Sequence, residues 1–219
     1  MSTEFTPTAR RLGLYSAIVT ALLIVVYAVT LVVGLMSLKS PDDPIGDPMF
    51  SILEILIIAM MPAMVALMAA VHAWAPTRLK TLSLVAPVFM GLVAGVTCTL
   101  HFIIFTVSHQ PAIAGQSWAP LLFAFKWPSV AYAVDITAWD IFFPLSVLFA
   151  TLVFSGTRLA DWIRWSMIVS GVLAFAGLSG VALSNMQFRN IGIVGYVVVF
   201  LVSDVLLAFF FQQAQTQSA

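Results

Sequence analysis

The sequence predicts an all-α fold, a polytopic membrane helix bundle of six transmembrane helices, and three observations carry that prediction. Of 219 residues, 62% are hydrophobic and 8% charged, against roughly 45–50% and about 25% in an ordinary soluble domain. The apolar residues gather into six long runs, and the few basic residues fall mainly in alternate breaks between those runs. A water-soluble fold cannot hide so much apolar surface.

A helix that crosses a bilayer needs about 20 mainly apolar residues at roughly 1.5 Å of rise each. Runs of that length occupy approximately residues 12–38, 49–74, 82–107, 129–154, 162–183 and 191–211, so residues 1–219 form a single transmembrane domain. The first run is longer than the about 7–15 apolar residues of a secretory signal, and no small-x-small cleavage site follows it. It reads as a retained helix, with Arg10 and Arg11 holding its start on the cytoplasmic side rather than marking an export signal. The later breaks fall at Pro41 to Pro44, Pro76 to Lys80, Ser108 to Pro128, Ser155 to Arg158 and Ser184 to Asn190. Each combines proline, glycine, polar residues or charge where a helix stops.

The break from Ser108 to Pro128 is the longest and is not simply polar. Residues 118–127, bounded by Trp118 and Trp127, hold an apolar stretch too short to span. Such a stretch is expected to lie in the interface or to dip back as a lid.

Orientation follows from the basic residues. With N-terminus and C-terminus cytoplasmic, Arg10, Arg11, Arg78, Lys80, Arg158 and Arg164 are inside, while Lys39, Lys126 and Arg189 are outside. That asymmetry satisfies the positive-inside rule, and Trp74, Trp162, Trp165, Trp118 and Trp127 fall near helix ends as an aromatic belt does. Trp139 is the exception, well inside the fourth run.

Composition also excludes some partners. A formal net charge of zero leaves no basic surface to neutralise a phosphate backbone, so the expected partner is the lipid bilayer and not nucleic acid. The single cysteine, Cys98, makes no intrachain disulfide and no cysteine-only metal site. Asp42, Asp43 and Asp47 lack the spacing of a calcium loop and read as a solvated loop. Gly91 and Gly95, with Gly171, Gly177 and Gly180, permit close helix contact, within the chain or in a homo-oligomer or larger membrane complex. No sequence feature names a cofactor.

An 80-residue internal repeat is a further expectation. Pro48 matches Pro128, Thr77-Arg78-Leu79 matches Thr157-Arg158-Leu159, and Glu54 and Pro62 match Asp135 and Pro144 to within two positions. Helices two and three would then correspond to helices four and five, as in parallel-repeat transporters.

Ionisable groups inside a bilayer cost a few kcal/mol each and mark functional positions. Glu54, His101 and Asp135 fall at a common depth near the outer ends of helices two, three and four, so they are expected to meet. A histidine between two carboxylates relays protons near neutral pH. The alternative is that the three pair only to fix helix packing. Trp139 shares a helix face with Asp135, while Asp140 points to a different neighbour and lies near the midplane, where no lysine or arginine is expected. Asp204 on helix six lies deeper still. Glu54, His101 and Asp135, with Cys98 one turn from His101, are the minimum for a metal, but membrane zinc sites use more than one histidine, and no metal is expected.

Three function classes fit. One is small-molecule or proton-linked transport or binding through an outward-facing intramembrane site made of Glu54, His101, Asp135, Trp139 and Asp140, continued inward by Asp204. A second is a packing or assembly subunit. The third is an intramembrane enzyme acting on a lipid or isoprenoid with a carboxylate and His101 as acid and base.

The strings Leu100-His101-Phe102, Lys126-Trp127-Pro128-Ser129-Val130, Tyr132-Ala133-Val134-Asp135, Ala138-Trp139-Asp140 and Ile193-Val194-Gly195-Tyr196 resemble a family of uncharacterised bacterial six-helix membrane proteins. The resemblance covers most of the chain. It implies the topology and a bacterial inner membrane, and no mechanism.

Overall fold

The computed structural model describes residues 5–40 and 45–215. Among them every regular element is helical, and six helices are long and apolar enough to cross a membrane. They are α1 (Pro7–Met36), α2 (Met49–Trp74), α3 (Thr77–Val107), α4 (Val130–Val153), α5 (Arg158–Ala182) and α6 (Met186–Gln213). Several begin earlier than apolarity alone predicts, because caps rather than hydropathy set the first turn. Thr6 accepts from the Ala9 amide and Pro7 opens α1, where a missing N–H costs nothing. Thr157 accepts from the Ala160 amide, so α5 starts at Arg158, and Asn185 caps the 3-10 turn Met186–Arg189 that opens α6. At the other end of α2, the Lys80 ammonium donates to the His72 and Ala73 carbonyls at 2.8 and 2.9 Å, a cation on unsatisfied C-terminal carbonyls.

Each helix packs on its neighbour in sequence, and α6 returns to pack on α1, closing a ring. Within the ring α4 is drawn inward: 61% of its apolar window is buried, against 22% for α1. The outward face of α1 is a strip of exposed apolar side chains, including Leu22 and Val29, whereas Gly13, Ala17, Thr20 and Ile24 face inward. Phe5 stacks on Phe211, so the segments next to the two termini lie at one end of the bundle, the terminal end. The 108–129 connection lies at the other, the distal end.

Two spans contain a π-helical turn. Residues Thr137–Phe142 of α4 and Val194–Val199 of α6 are π-helical, each widening the helix where a turn carries one residue more than usual. In α4 the wide turn immediately precedes Pro144, whose ring cannot sit against the carbonyl four residues back in a regular helix. The corresponding Pro62 lies in α2 without such a turn; its missing N–H leaves the Ile58 carbonyl, which accepts from Cys98 Sγ at 3.9 Å. The two halves of the expected repeat therefore differ at their prolines. A Cβ added at Gly91 or Gly95 would meet nothing within 4 Å, so neither glycine takes part in packing within the chain.

The close approach of α5 and α6 is set by small residues. A Cβ on Gly195 would come within 2.7 Å of the Ser170 carbonyl, and Ser170 Oγ donates to the Gly195 carbonyl at 2.9 Å. The apolar core beneath is rich in methionine, with Met61, Met64, Met68, Met90 and Met167 fully buried.

Candidate functional site

At the distal end the helices bring five ionisable side chains into one continuous chain. Glu54 lies five residues into α2, His101 six residues from the end of α3, and Asp135 five residues into α4, all roughly 7–9 Å from their helix ends. His101 Nδ1 donates to Glu54 Oε2 at 2.7 Å. On the opposite side of the ring, Nε2 faces Asp135 Oδ1 at 3.7 Å, too long for a hydrogen bond. The two acids that correspond in the expected repeat thus flank one imidazole.

The chain continues through a residue the sequence assigns to an external loop. Arg189 is 4% exposed. Its Nη2 donates to Asp135 Oδ2 at 2.5 Å and its Nε to Asp140 Oδ2 at 3.2 Å. The expectation that no cation reaches Asp140 is therefore wrong. The charge sits only two residues before the apolar run 191–211, and its long side chain lies back along the bundle interior rather than outward into solvent. Gly180 makes this possible, because a Cβ there would press on the Arg189 amide at 3.0 Å. Gly177 and Gly192 leave room for the Asp140 carboxylate: a Cβ on Gly192 would lie 2.5 Å from Asp140 Oδ1, and one on Gly177 would strike the same oxygen. These glycines shape the site as well as the helix seam.

Aromatic side chains enclose the charges. The Arg189 guanidinium lies over the Tyr132 ring at 4.4 Å, a cation–π contact. Phe125, from the distal connection, stacks on His101 with ring centroids 5.2 Å apart. The expected 118–127 segment is helical only over Ala119–Phe123, and Phe125 beyond it caps the imidazole. On the side away from the distal end, Trp139 meets Tyr196 at 5.1 Å and Phe143 at 5.7 Å, and Phe143 meets Phe200 at 5.0 Å. Trp139 is thus part of an aromatic plug beneath the charges, with the π-turns of α4 and α6 contributing Trp139 and Tyr196.

Within this five-residue cluster two atoms are buried with no hydrogen-bond partner, His101 Nε2 and Asp140 Oδ1. Charge is also unmatched within these five residues: Glu54, Asp135 and Asp140 are three carboxylates against the single permanent cation Arg189. With His101 protonated, one negative charge of the five remains to be neutralised.

The other sequence candidates lie elsewhere. Asp204 is fully buried in the terminal half of α6, and neither of its oxygens has a partner. Cys98, donating to α2, is not part of the histidine layer. Because Glu54 and Asp135 lie on opposite ring nitrogens, they do not converge on one point, and among the described residues no group of three His, Cys, Asp or Glu side chains is arranged to hold a metal ion. Asp47 is engaged by Ser51, whose amide and hydroxyl donate to Oδ1 at 3.2 and 2.5 Å; Asp42 and Asp43 lie outside the described residues.

The chain matches no protein-family model, no curated protein and no solved structure.

Proposed function

We propose that this chain is a multi-pass membrane protein that binds a small cation in exchange for a proton at the Glu54–His101–Asp135–Arg189–Asp140 cluster. The observation that carries the reading is the excess of acid over base in a buried chain that also holds two unmatched polar atoms. A buried charge is tolerated when it is paired or neutralised, and here a bound proton or a bound cation balances the same carboxylates. Competition between the two couples ligand binding to proton release. The aromatic faces of Phe125, Tyr132 and Trp139 supply further cation-attracting surface.

The distal end faces the outside in this reading, with both termini in the cytoplasm. With Arg189 drawn into the bundle, the helix ends carry six cations on the terminal side against Lys39 and Lys126 on the distal side, in the sense of the positive-inside rule. The resemblance to bacterial six-helix proteins favours a bacterial inner membrane.

A second reading has its own support. The chain of ion pairs cross-links α2, α3, α4 and the start of α6, which is also what a packing device does. Proteoliposomes holding a trapped pH indicator separate the two. External alkali, primary ammonium, quaternary ammonium or guanidinium ions, tried in turn, should include a class that moves protons in the wild type and not in Asp135→Asn. No proton movement with any class, in a protein that remains folded, supports the packing reading instead.

A further inference from the structure

The terminal half of the bundle holds a second acidic position that the distal cluster does not use. Asp204 is fully buried, and both of its carboxylate oxygens lack a hydrogen-bond partner. Its surroundings follow from the register between α1 and α6. Arg10 Nη1 donates to the Ala214 carbonyl at 3.4 Å, and a Cβ on Gly13 would lie 2.7 Å from the Phe211 ring, so the two helices run antiparallel. Seven residues on from Gly13 is Thr20, and seven residues back from Phe211 is Asp204. Seven residues are about two turns, so each stays on the same face of its helix. Thr20 is therefore level with Asp204 on the shared seam. Its hydroxyl is also buried and also without a partner.

Among the described residues no other element supplies a countercharge. From α5 the hydroxyl of Ser166 accepts from Ser203 Oγ at 3.0 Å, beside Asp204, and Met167 and Ser170 complete the buried face. From the terminal half of α1 the inward polar groups are Ser16 and Thr20, with Arg10 bound at the Ala214 carbonyl at the helix end, while Tyr27 and Thr30 lie seven and ten residues beyond Thr20 toward the distal end. Among the described residues no charged side chain is hydrogen-bonded to Asp204.

The two acidic positions are separated. Asp140 is level with Gly192, and Asp204 lies twelve residues further along α6, roughly 18 Å at helical rise. The plug of Trp139, Phe143, Tyr196 and Phe200 occupies the interval. Asp204 is nine residues from the end of α6 at Gln213, only about 13 Å from the terminal end. One turn closer to that end on α1, Ser16 continues the line of hydroxyls and is slightly exposed.

We infer that Asp204, with Thr20 beside it, is a second proton-binding site that exchanges with the terminal face of the membrane. Among the described residues no cation pairs with an anionic carboxylate there and no donor is hydrogen-bonded to either oxygen, so the group that completes it is a proton. Protonation neutralises the carboxylate and gives it an O–H at the level of the unmatched Thr20 hydroxyl, and deprotonation returns that proton to the terminal side, with no other bond made or broken. The inference stands independently of whether the distal cluster binds a cation.

Infrared difference spectra of the full chain in lipid nanodiscs, recorded between acidic and alkaline buffers, test it. The wild type should show a carboxylic-acid C=O band that disappears reversibly at alkaline pH. The band should be absent in Asp204→Asn, shifted in Thr20→Val and retained in Asp135→Asn. If Asp204→Asn does not fold, Asp204→Glu should move the band and keep its response to pH. Three results would each overturn the inference. One is an Asp204→Asn spectrum identical to the wild type. Another is an Asp204-dependent band that ignores pH wherever the protein is folded, as a purely structural acid behaves. The third is replacement of the band by sodium or potassium at constant pH, which makes the site one for a metal cation.

Discussion

Asp140 and Asp204 are both fully buried aspartates on helices of the same bundle, yet their surroundings have little in common. At Asp140 one oxygen accepts from Arg189, glycines on two helices make space for the carboxylate, and a wide turn aims it. At Asp204, among the described residues, no cation and no donor is bonded to either oxygen and the helix is regular, with hydroxyls and apolar side chains on the facing helices. The same side chain is accommodated by pairing in one half of the molecule and by neutralisation in the other. Pairing fixes a charge and holds helices together. Neutralisation leaves a group whose state can change without pulling the fold apart.

The comparison breaks most easily at Arg189. Arg189→Met leaves Asp135 and Asp140 buried without their cation, and removing one partner of a buried pair costs about 3–5 kcal/mol. Thermal unfolding in detergent should show a larger loss for this substitution than for any of those below, and an unchanged Tm would mean that the ion pairs are not what holds this end together. Next comes Gly192→Ala, whose methyl group meets the Asp140 carboxylate; overpacking of this kind costs about 1–3 kcal/mol. The double variant Gly192→Ala with Asp140→Ala should recover much of that loss, and failure to do so would place the strain elsewhere. Asp204→Asn sharpens the contrast from the other side. It preserves shape and a neutral state, so stability should change by less than about 1 kcal/mol, and a loss as large as that of Arg189→Met would show Asp204 to be a paired charge after all.

The smallest effect lies outside the spans. The hydrogen bonds from Ser51 hold the Asp47 carboxyl below its usual range. A folded value lower than the unfolded one contributes stability above the unfolded value, and that contribution is lost as pH falls through the folded value. Hydrogen-exchange protection of the Ser51 amide, corrected for intrinsic rate, should therefore fall in acid below the ordinary aspartate range. Asp47→Ala should remove both the protection and its pH dependence; a variant that keeps either would detach the start of α2 from this carboxylate.

The spans were legible because twenty-odd apolar residues in a row have few structural options, and helix polarity alone brought Glu54, His101 and Asp135 to one level. Arg189 was not legible. A basic residue two positions from an apolar run satisfies every rule for a loop, and only the glycines at 177, 180 and 192, read together in three dimensions, show the space that admits it. Apolarity could mark those glycines as small, but not as neighbours of a carboxylate. The partnerless state of Asp204 was equally hidden, since it depends on what α1 and α5 fail to provide. Its depth in the span, by contrast, followed directly from counting.

The wide turns in α4 and α6 carry a consequence for how such a chain tolerates change in length. A turn holding one residue too many is an insertion absorbed in place: each residue beyond it is set back by about 100° relative to an uninterrupted α-helix of the same sequence. In α6 the Val194–Val199 turn lies between Arg189 and Asp204, so it sets the phase between the two acidic regions. Removing one valine there would let the helix close to regular geometry with Asp204 still on the α1 seam, whereas removing one residue between the wide turn and Asp204 would swing Asp204 by about 100°, off that seam. The two sites are thus phased by a single residue of length, which no conservative substitution imitates.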